Sequence, residues 1–291
     1  GMLSSRGFAA KYLPPGQMTD MASNLVLPHD KRNTWFLLGF LNSRLAGYLL
    51  HNLNPSINFQ VRDVSRLPFA HIDSSSHRYI SAMVRLVVQI QRMRDSWDET
   101  SPEFSGPLLL RVSGGDLMSR LARAWELVQR TSAVVTRALE TIDTVMLDVY
   151  GLYGSDRRVV SECRQAGMIR VLEQWNLKRT EWEWRQLHTL VSYAVGCVLG
   201  WRVSGYRQLP NTKHEANCRN VKEWLQESLG ADAVFQLETL LGQTLDRYLL
   251  GEFVNEHRRR FGGRPVFVPD GVGGLTLVSF VTSVKIGRAH V

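Results

Sequence analysis

Asn54-Pro55-Ser56-Ile57 is the segment whose residue types come nearest to a recognisable chemistry. Enzymes that modify adenine hold a flipped base by hydrogen bonds to its edge and by aromatic stacking, and an Asn-Pro-Pro-aromatic run supplies both. Here Ser56 and Ile57 stand where the second proline and the ring would be, so the stacking platform is lost. Other catalytic signatures are missing. There is no Gly-x-Ser-x-Gly elbow, no Gly-x-x-x-x-Gly-Lys phosphate loop and no strand-linked Gly-x-Gly-x-x-Gly turn. Pro269-Asp270 resembles the metal-binding start of many nucleases, but no acidic-x-Lys partner follows it. His214 and Cys218 are four apart and can share one helix face, yet no second ligand pair lies nearby, so no metal site is expected. The residues therefore point to binding, with no catalytic residue assigned.

Composition agrees. The chain has 291 residues, 44% of them hydrophobic and 21% charged, enough to bury one large core or two modest ones. Lysine and arginine total 35 against 27 acids, for a net charge of +8, and this favours a polyanionic partner. Half of that excess lies in residues 1–70, which hold seven basic and three acidic side chains. Three scattered cysteines exclude a disulfide framework and imply a reducing, cytoplasmic setting. No signal peptide is visible, and the runs Trp35–Leu50 and Leu187–Trp201 read as buried helices rather than membrane spans.

The elements that must position such binding groups follow from periodicity. Glycine and proline punctuate the first thirty residues. A helix is then predicted from Thr34 as N-cap, with Trp35, Leu38, Leu41, Leu45 and Leu49 on one face, ending before Asn54-Pro55. Ile57 to Val61 alternates apolar and polar residues and, with Leu67-Pro68-Phe69, reads as extended. Residues 1–70 are thus expected to form a small mixed α/β module. Ser74 to Ser76 are expected to cap a helix carrying Ile80, Met83, Val84, Val87 and Ile90, on which Arg78, Arg85 and Arg92 recur every seventh residue. That stripe reads as a solvated face or as a phosphate-tracking one, the former preferred. From Leu117 a seam of Leu121, Val128, Val135, Leu139, Ile142, Met146 and Val149 predicts a long helix. Trp175, Trp182 and Trp184 read as packing anchors, Cys218–Leu250 is again helical in period, and Val266–Val268 with Leu275–Val278 forms a candidate β-hairpin. The expected class is mainly α: a helical body over residues 71–285, the mixed module before it, and a short hairpin near the end.

Several blocks resemble one family. Leu38-Gly39-Phe40-Leu41-Asn42-Ser43, Tyr48-Leu49-Leu50, Leu53 through Val64 and Leu67-Pro68-Phe69, preceded by Lys11-Tyr12-Leu13-Pro14-Pro15-Gly16, look like the C-terminal part of the BREX phage-defence adenine-specific DNA methyltransferases called PglX, relatives of the type IIG restriction-modification enzymes. The likeness continues at Arg94 through Ser101 with Phe104, at Glu140 through Leu152, at Ser192 through Cys197 with Gly200, and at Tyr248-Leu249, Phe253, His257 and Arg264-Pro265-Val266. The blocks come in order over most of residues 8–268.

The resemblance implies that the S-adenosylmethionine-binding methyltransferase domain lies upstream of residue 1. Residues 1–70 would then be the end of a target-recognition region, and this chain would be a fragment without methyl-transfer activity of its own. Its expected partner is double-stranded DNA. Lys31, Arg32, Arg62 and Arg66 are the candidate phosphate or guanine contacts, and Asn54, Asn58 and Gln60 the candidate polar groups near the groove. Asn54 and Asn58 also read as turn residues that satisfy their own backbone, which is the favoured alternative. A docking role toward other defence-system proteins is the competing expectation, resting on the Trp175–Trp184 stretch and the seam from Leu117. Residues 286–291, Ile-Gly-Arg-Ala-His-Val, read as a non-native tail.

Overall fold

The computed structural model describes residues 8–14, 16, 25–56, 59–70, 72–162, 178–198, 214–261, 267–269 and 275–277. The chain is mainly helical and forms two compact units from interleaved segments, Gly1–Arg92 with Gln129–Leu177 and Met93–Val128 with Lys178–Val291. No described helix is long and apolar enough to cross a membrane.

The first unit holds a 3-10 turn, Lys31–Asn33, then α1 (Thr34–Leu41), α2 (Arg44–Leu53), α3 (Val61–Ser65), α4 (Ser74–Asp95) as far as Arg92, α6 (Leu117–Val149) from Gln129, and α7 (Gly154–Glu162). Its core is aromatic. Phe36 is fully buried, with Phe69 edge-on at 5.4 Å and His77 stacked at 5.2 Å, and Phe40 stacks on Tyr150 at 5.5 Å. Gly39 lets α1 approach α4, because a Cβ there would meet Val84 Cγ2 at 2.7 Å. Gly39→Ala is therefore expected to overpack this contact and lose about 1–3 kcal/mol in urea unfolding.

The single helix expected from Thr34 to Leu49 is broken in two. Ser43 adopts an extended ψ of 156° and caps α2, its hydroxyl accepting from Ala46 N–H at 3.2 Å. Asn42 fixes the break: its amide donates to Leu38 O at 2.9 Å and to Ala10 O at 3.0 Å, and its carbonyl accepts from Ala10 N–H at 3.2 Å. The mixed α/β character expected of residues 1–70 is corrected too, since the described residues there hold only helical elements. Of the alternating stretch, Ile57 and Asn58 lie outside the described residues. Phe59 is buried edge-on to Phe8 at 5.8 Å, Gln60 precedes a helix and Val61 begins it. Alternation over five residues without a partner strand yields to a helix start that satisfies its own polar groups. At α4 the cap is Asp73 rather than a serine, its carboxylate accepting from the N–H groups of Ser75 and Ser76 at 2.9 Å each.

The second unit holds α5 (Leu108–Arg111), the first part of α6, α8 (Arg179–Val198), α9 (His214–Leu229), α10 (Ala233–Leu241), α11 (Leu245–Leu250) and α12 (Glu252–Arg260). Gly230 at φ 106° and Gly242 at φ 67° divide the helical period read over Cys218–Leu250 into three helices. Trp182 is buried against Trp125 at 5.2 Å, and Trp184 meets Tyr248 edge-on at 5.9 Å, as packing anchors do; Trp175 lies outside the described residues. Phe267–Pro269 (β1) and Leu275–Leu277 (β2) pair antiparallel, with Val268 opposite Thr276.

Candidate nucleic-acid interface

Four of the seven candidate contact residues gather at α3, and Asp63 organises them. Asn54 precedes Pro55 in an extended conformation, and its carbonyl accepts from Ser56 N–H at 3.0 Å, an Asx turn. Its amide donates to Asp63 Oδ2 at 2.7 Å, and Gln60 N–H donates to the same oxygen at 2.9 Å, the return half of a capping box. The hydrogen bond from Asn54, then that from Gln60, holds the Asp63 carboxyl below the usual carboxylate range, and the charges of Arg66 and Arg62 add to this. Arg62 and Arg66 themselves are exposed. Asn54 thus builds the corner from which the two arginines project, and both ends of its amide serve that turn.

Lys31 and Arg32 occupy the 3-10 turn and are exposed. Arg32 pairs with Asp30 at 2.8 Å, a surface contact of small energetic value. Asn33 Oδ1 lies 3.0 Å from His77 Nε2, which ties the turn to α4. Asn58, the seventh candidate, lies outside the described residues.

The first unit also holds a contact between half-buried Arg44 and buried Asp143. Arg44 donates its backbone N–H to Asp143 Oδ1 at 2.8 Å, its Nε lies 3.2 Å from Asp143 Oδ2, and its guanidinium reaches Ser161 O, so α2, α6 and α7 meet at one arginine. Burial pushes the Asp143 carboxyl up to about 6, against the opposing pull of the Arg44 N–H and charge. A carboxyl raised in the folded state contributes most below its unfolded value near 4, and the contribution is lost as pH rises through about 6. Between pH 4 and pH 7 the wild type is expected to lose on the order of 2–3 kcal/mol relative to Asp143→Asn, measured by urea unfolding at each pH.

The second unit contains a polar network that the sequence scatters widely. Ser192, fully buried on α8, donates its hydroxyl to Glu99 Oε1 at 2.9 Å, and Nδ1 of His257 on α12 lies 3.2 Å from Ser192 Oγ. With the hydroxyl proton committed to Glu99, the histidine nitrogen is the donor. Next to it Arg260 donates to Thr189 Oγ1 at 2.6 Å and lies 3.5 Å from Asp98. His188 Nδ1 lies 2.7 Å from the Tyr248 hydroxyl; burial, followed by the charges of Arg260, His257 and Arg259, lowers His188 to about 3, so the ring is neutral. Serine, histidine and glutamate invite comparison with a hydrolytic triad. The connectivity is wrong for that chemistry, because serine bridges the other two and all three are buried. It is a brace between helices. Among the described residues no group of three or more His, Cys, Asp or Glu is placed to hold a metal ion.

Asp98 and Glu99, Ser192, Tyr248 and His257 come from three of the blocks on which the family resemblance rests, and in space they form one neighbourhood. In the first unit Gly39, Phe40, Asn42 and Ser43, from a fourth block, supply the close approach, the ring stack, the clamp on Ala10 and the cap of α2.

A scan against protein-family models finds no match. The chain is nevertheless similar in sequence to curated adenine-specific methyltransferases. It is 25% identical over 205 residues to the adenine-specific methyltransferase PglX of Lacticaseibacillus casei (strain Zhang), a match covering 68% of this chain and 16% of that protein. Against the adenine-specific methyltransferase BrxX of Escherichia coli O9:H4 (strain HS) it is 24% identical over 115 residues, 39% of this chain and 9% of the relative. The chain therefore spans less than a fifth of the length of either relative.

Proposed function

We propose that this chain is part of a site-specific adenine DNA methyltransferase of a BREX phage-defence system, and that it contributes contact with target DNA rather than methyl transfer. The observation that carries the reading is the α3 corner in a chain related to PglX: Asp63 draws in Asn54 and Gln60, and Arg62 and Arg66 project from the same short helix, exposed. An arginine pair on a rigid turn suits phosphate oxygens and guanine edges. The methyl donor would be S-adenosylmethionine, held by residues outside this chain. Asn54-Pro55-Ser56 does not fit the methyl-transfer site, since its amide is engaged by Asp63 and Ser56 instead of being open to a base. The cytoplasm is the compartment that accompanies this reading.

Titration of a labelled duplex by fluorescence anisotropy at increasing salt tests it. Arg62→Ala with Arg66→Ala is expected to reduce the slope of log affinity against log salt by about 1.8, two phosphate contacts' worth. An unchanged slope would remove these residues from the interface. A second reading, docking to other defence-system proteins, draws on a different observation. Leu117 N–H donates to Gln236 Oε1 at 2.9 Å, and the neighbouring Met118 and Phe235 remain 52% and 73% exposed. Loss of co-purifying partners on Phe235→Glu, with DNA binding intact, would favour that reading.

A further inference from the structure

Trp35, one turn before the close approach of Gly39 to Val84, meets a partner from each of two other segments. Arg85 of α4 lies over its ring, the guanidinium carbon 5.5 Å from the centroid, and Tyr12 stacks on it at 4.7 Å with 26° between the planes. Alternate contacts of the N-terminal segment bring Tyr12 there. Phe8 is edge-on to Phe59 at 5.8 Å, Asn42 clamps both the N–H and the carbonyl of Ala10, and Tyr12 follows at Trp35. The intervening Lys11 is exposed, as is Lys31, four residues before Trp35.

Charge around this stack is cationic. Asp30 engages both the backbone N–H and the side chain of Arg32, so that pair is neutral and Lys31 is the net charge of the 3-10 turn. The positions one turn either side of Arg85 are Ser81, Ala82, Val88 and Gln89, none of them acidic. Among the described residues no ion pair or hydrogen bond engages the charged groups of Lys11, Lys31 and Arg85. The indole is already engaged by Tyr12 and Arg85, so what the cluster offers a ligand is charged N–H donors rather than a free aromatic face. An arginine fork and two ammonium groups suit phosphate oxygens. Resting on the indole restrains the guanidinium before any ligand arrives, which lowers the ordering cost of binding. The cluster also continues from the α3 corner. Phe59 immediately precedes Gln60, the cap of α3, and the four steps from its partner Phe8 to Tyr12 span at most about 14 Å.

We propose that Lys11, Lys31 and Arg85 form a phosphate-contact site for the DNA backbone, in which the Tyr12–Trp35 stack positions Arg85. This rests on the reading that the chain meets DNA, and it extends the contact surface from α3 to the N-terminal segment and α4. Phosphate contacts set register and affinity and carry no base information, so they complement the arginines of α3.

The experiment is the same anisotropy titration on the full chain, with two labelled duplexes of different sequence. Arg85→Gln is expected to reduce the salt slope by about 0.9, and Lys11→Gln, Lys31→Gln and Arg85→Gln together by about 2.7, equally for both duplexes. Tyr12→Leu removes no charge, so it is expected to keep the slope while weakening binding several-fold. A slope unchanged by the triple variant, or by Arg85→Gln alone should the triple not fold, would overturn the proposal, and an affinity unchanged by Tyr12→Leu would overturn the positioning role of the stack. So would a melting temperature raised by inorganic pyrophosphate and returned to its starting value by Arg85→Gln, with duplex affinity untouched, overturn the assignment to DNA in favour of free phosphate compounds. If Arg62→Ala with Arg66→Ala still flattens the slope in these cases, the proposed function survives without this site. If the unsubstituted chain binds neither duplex, both fall.

Discussion

Phe36→Ala is expected to lower the unfolding free energy by about 3–5 kcal/mol in urea denaturation followed by circular dichroism. The ring is fully buried, wedged between Phe69 and His77, and the aromatic side chains around it lose partners on two faces when it is removed. The consequence should reach beyond stability. Phe69 closes the segment that follows α3, and Tyr150, the stacking partner of Phe40, holds that segment by donating to Pro68 O at 2.8 Å and accepting from Ala70 N–H at 3.2 Å. Loosening this cluster frees the turn that bears Arg62 and Arg66, so the variant should also bind duplex DNA more weakly at temperatures where it remains folded.

Ser192→Ala removes only one oxygen, yet a loss of about 2–4 kcal/mol is expected. Two buried groups, Glu99 Oε1 and His257 Nδ1, lose the hydroxyl that joins them, and each lost buried hydrogen bond costs about 1–2 kcal/mol. The double variant Ser192→Ala, Glu99→Gln should cost less than the sum of its parts, because the two residues belong to one network. Additive effects would show that the hydroxyl bridge contributes nothing.

How much of this could be read from the chain depends on the range of the interactions. The helix α6 follows its seam of three and four spacing from Leu117 to Val149, as periodicity alone predicts. What periodicity cannot reveal is that one seam serves two cores: Leu121, Ala124 and Val128 belong to one compact unit, and Val135, Leu139, Ile142 and Met146 to the other. The break between α1 and α2 is invisible in the apolar pattern because its cause is Asn42 clamping Ala10, 32 residues earlier. α3 was hidden by an alternation of five residues whose apolar members do different work, Phe59 in the core and Val61 at an exposed helix start. At the candidate interface, charge and residue type singled out Arg62 and Arg66, whereas the role of Asp63 as their organiser needs the fold. Glu99, Ser192 and His257 lie 93 and 65 residues from one another along the chain and become a unit only in three dimensions.

The salt dependence of duplex binding by the unsubstituted chain bears most directly on the claim that this chain contacts DNA. With the two α3 arginines in contact, the magnitude of the slope of log affinity against log salt is expected to be at least about 1.8. Duplex binding that is undetectable at low salt, or that does not change with salt, would contradict it.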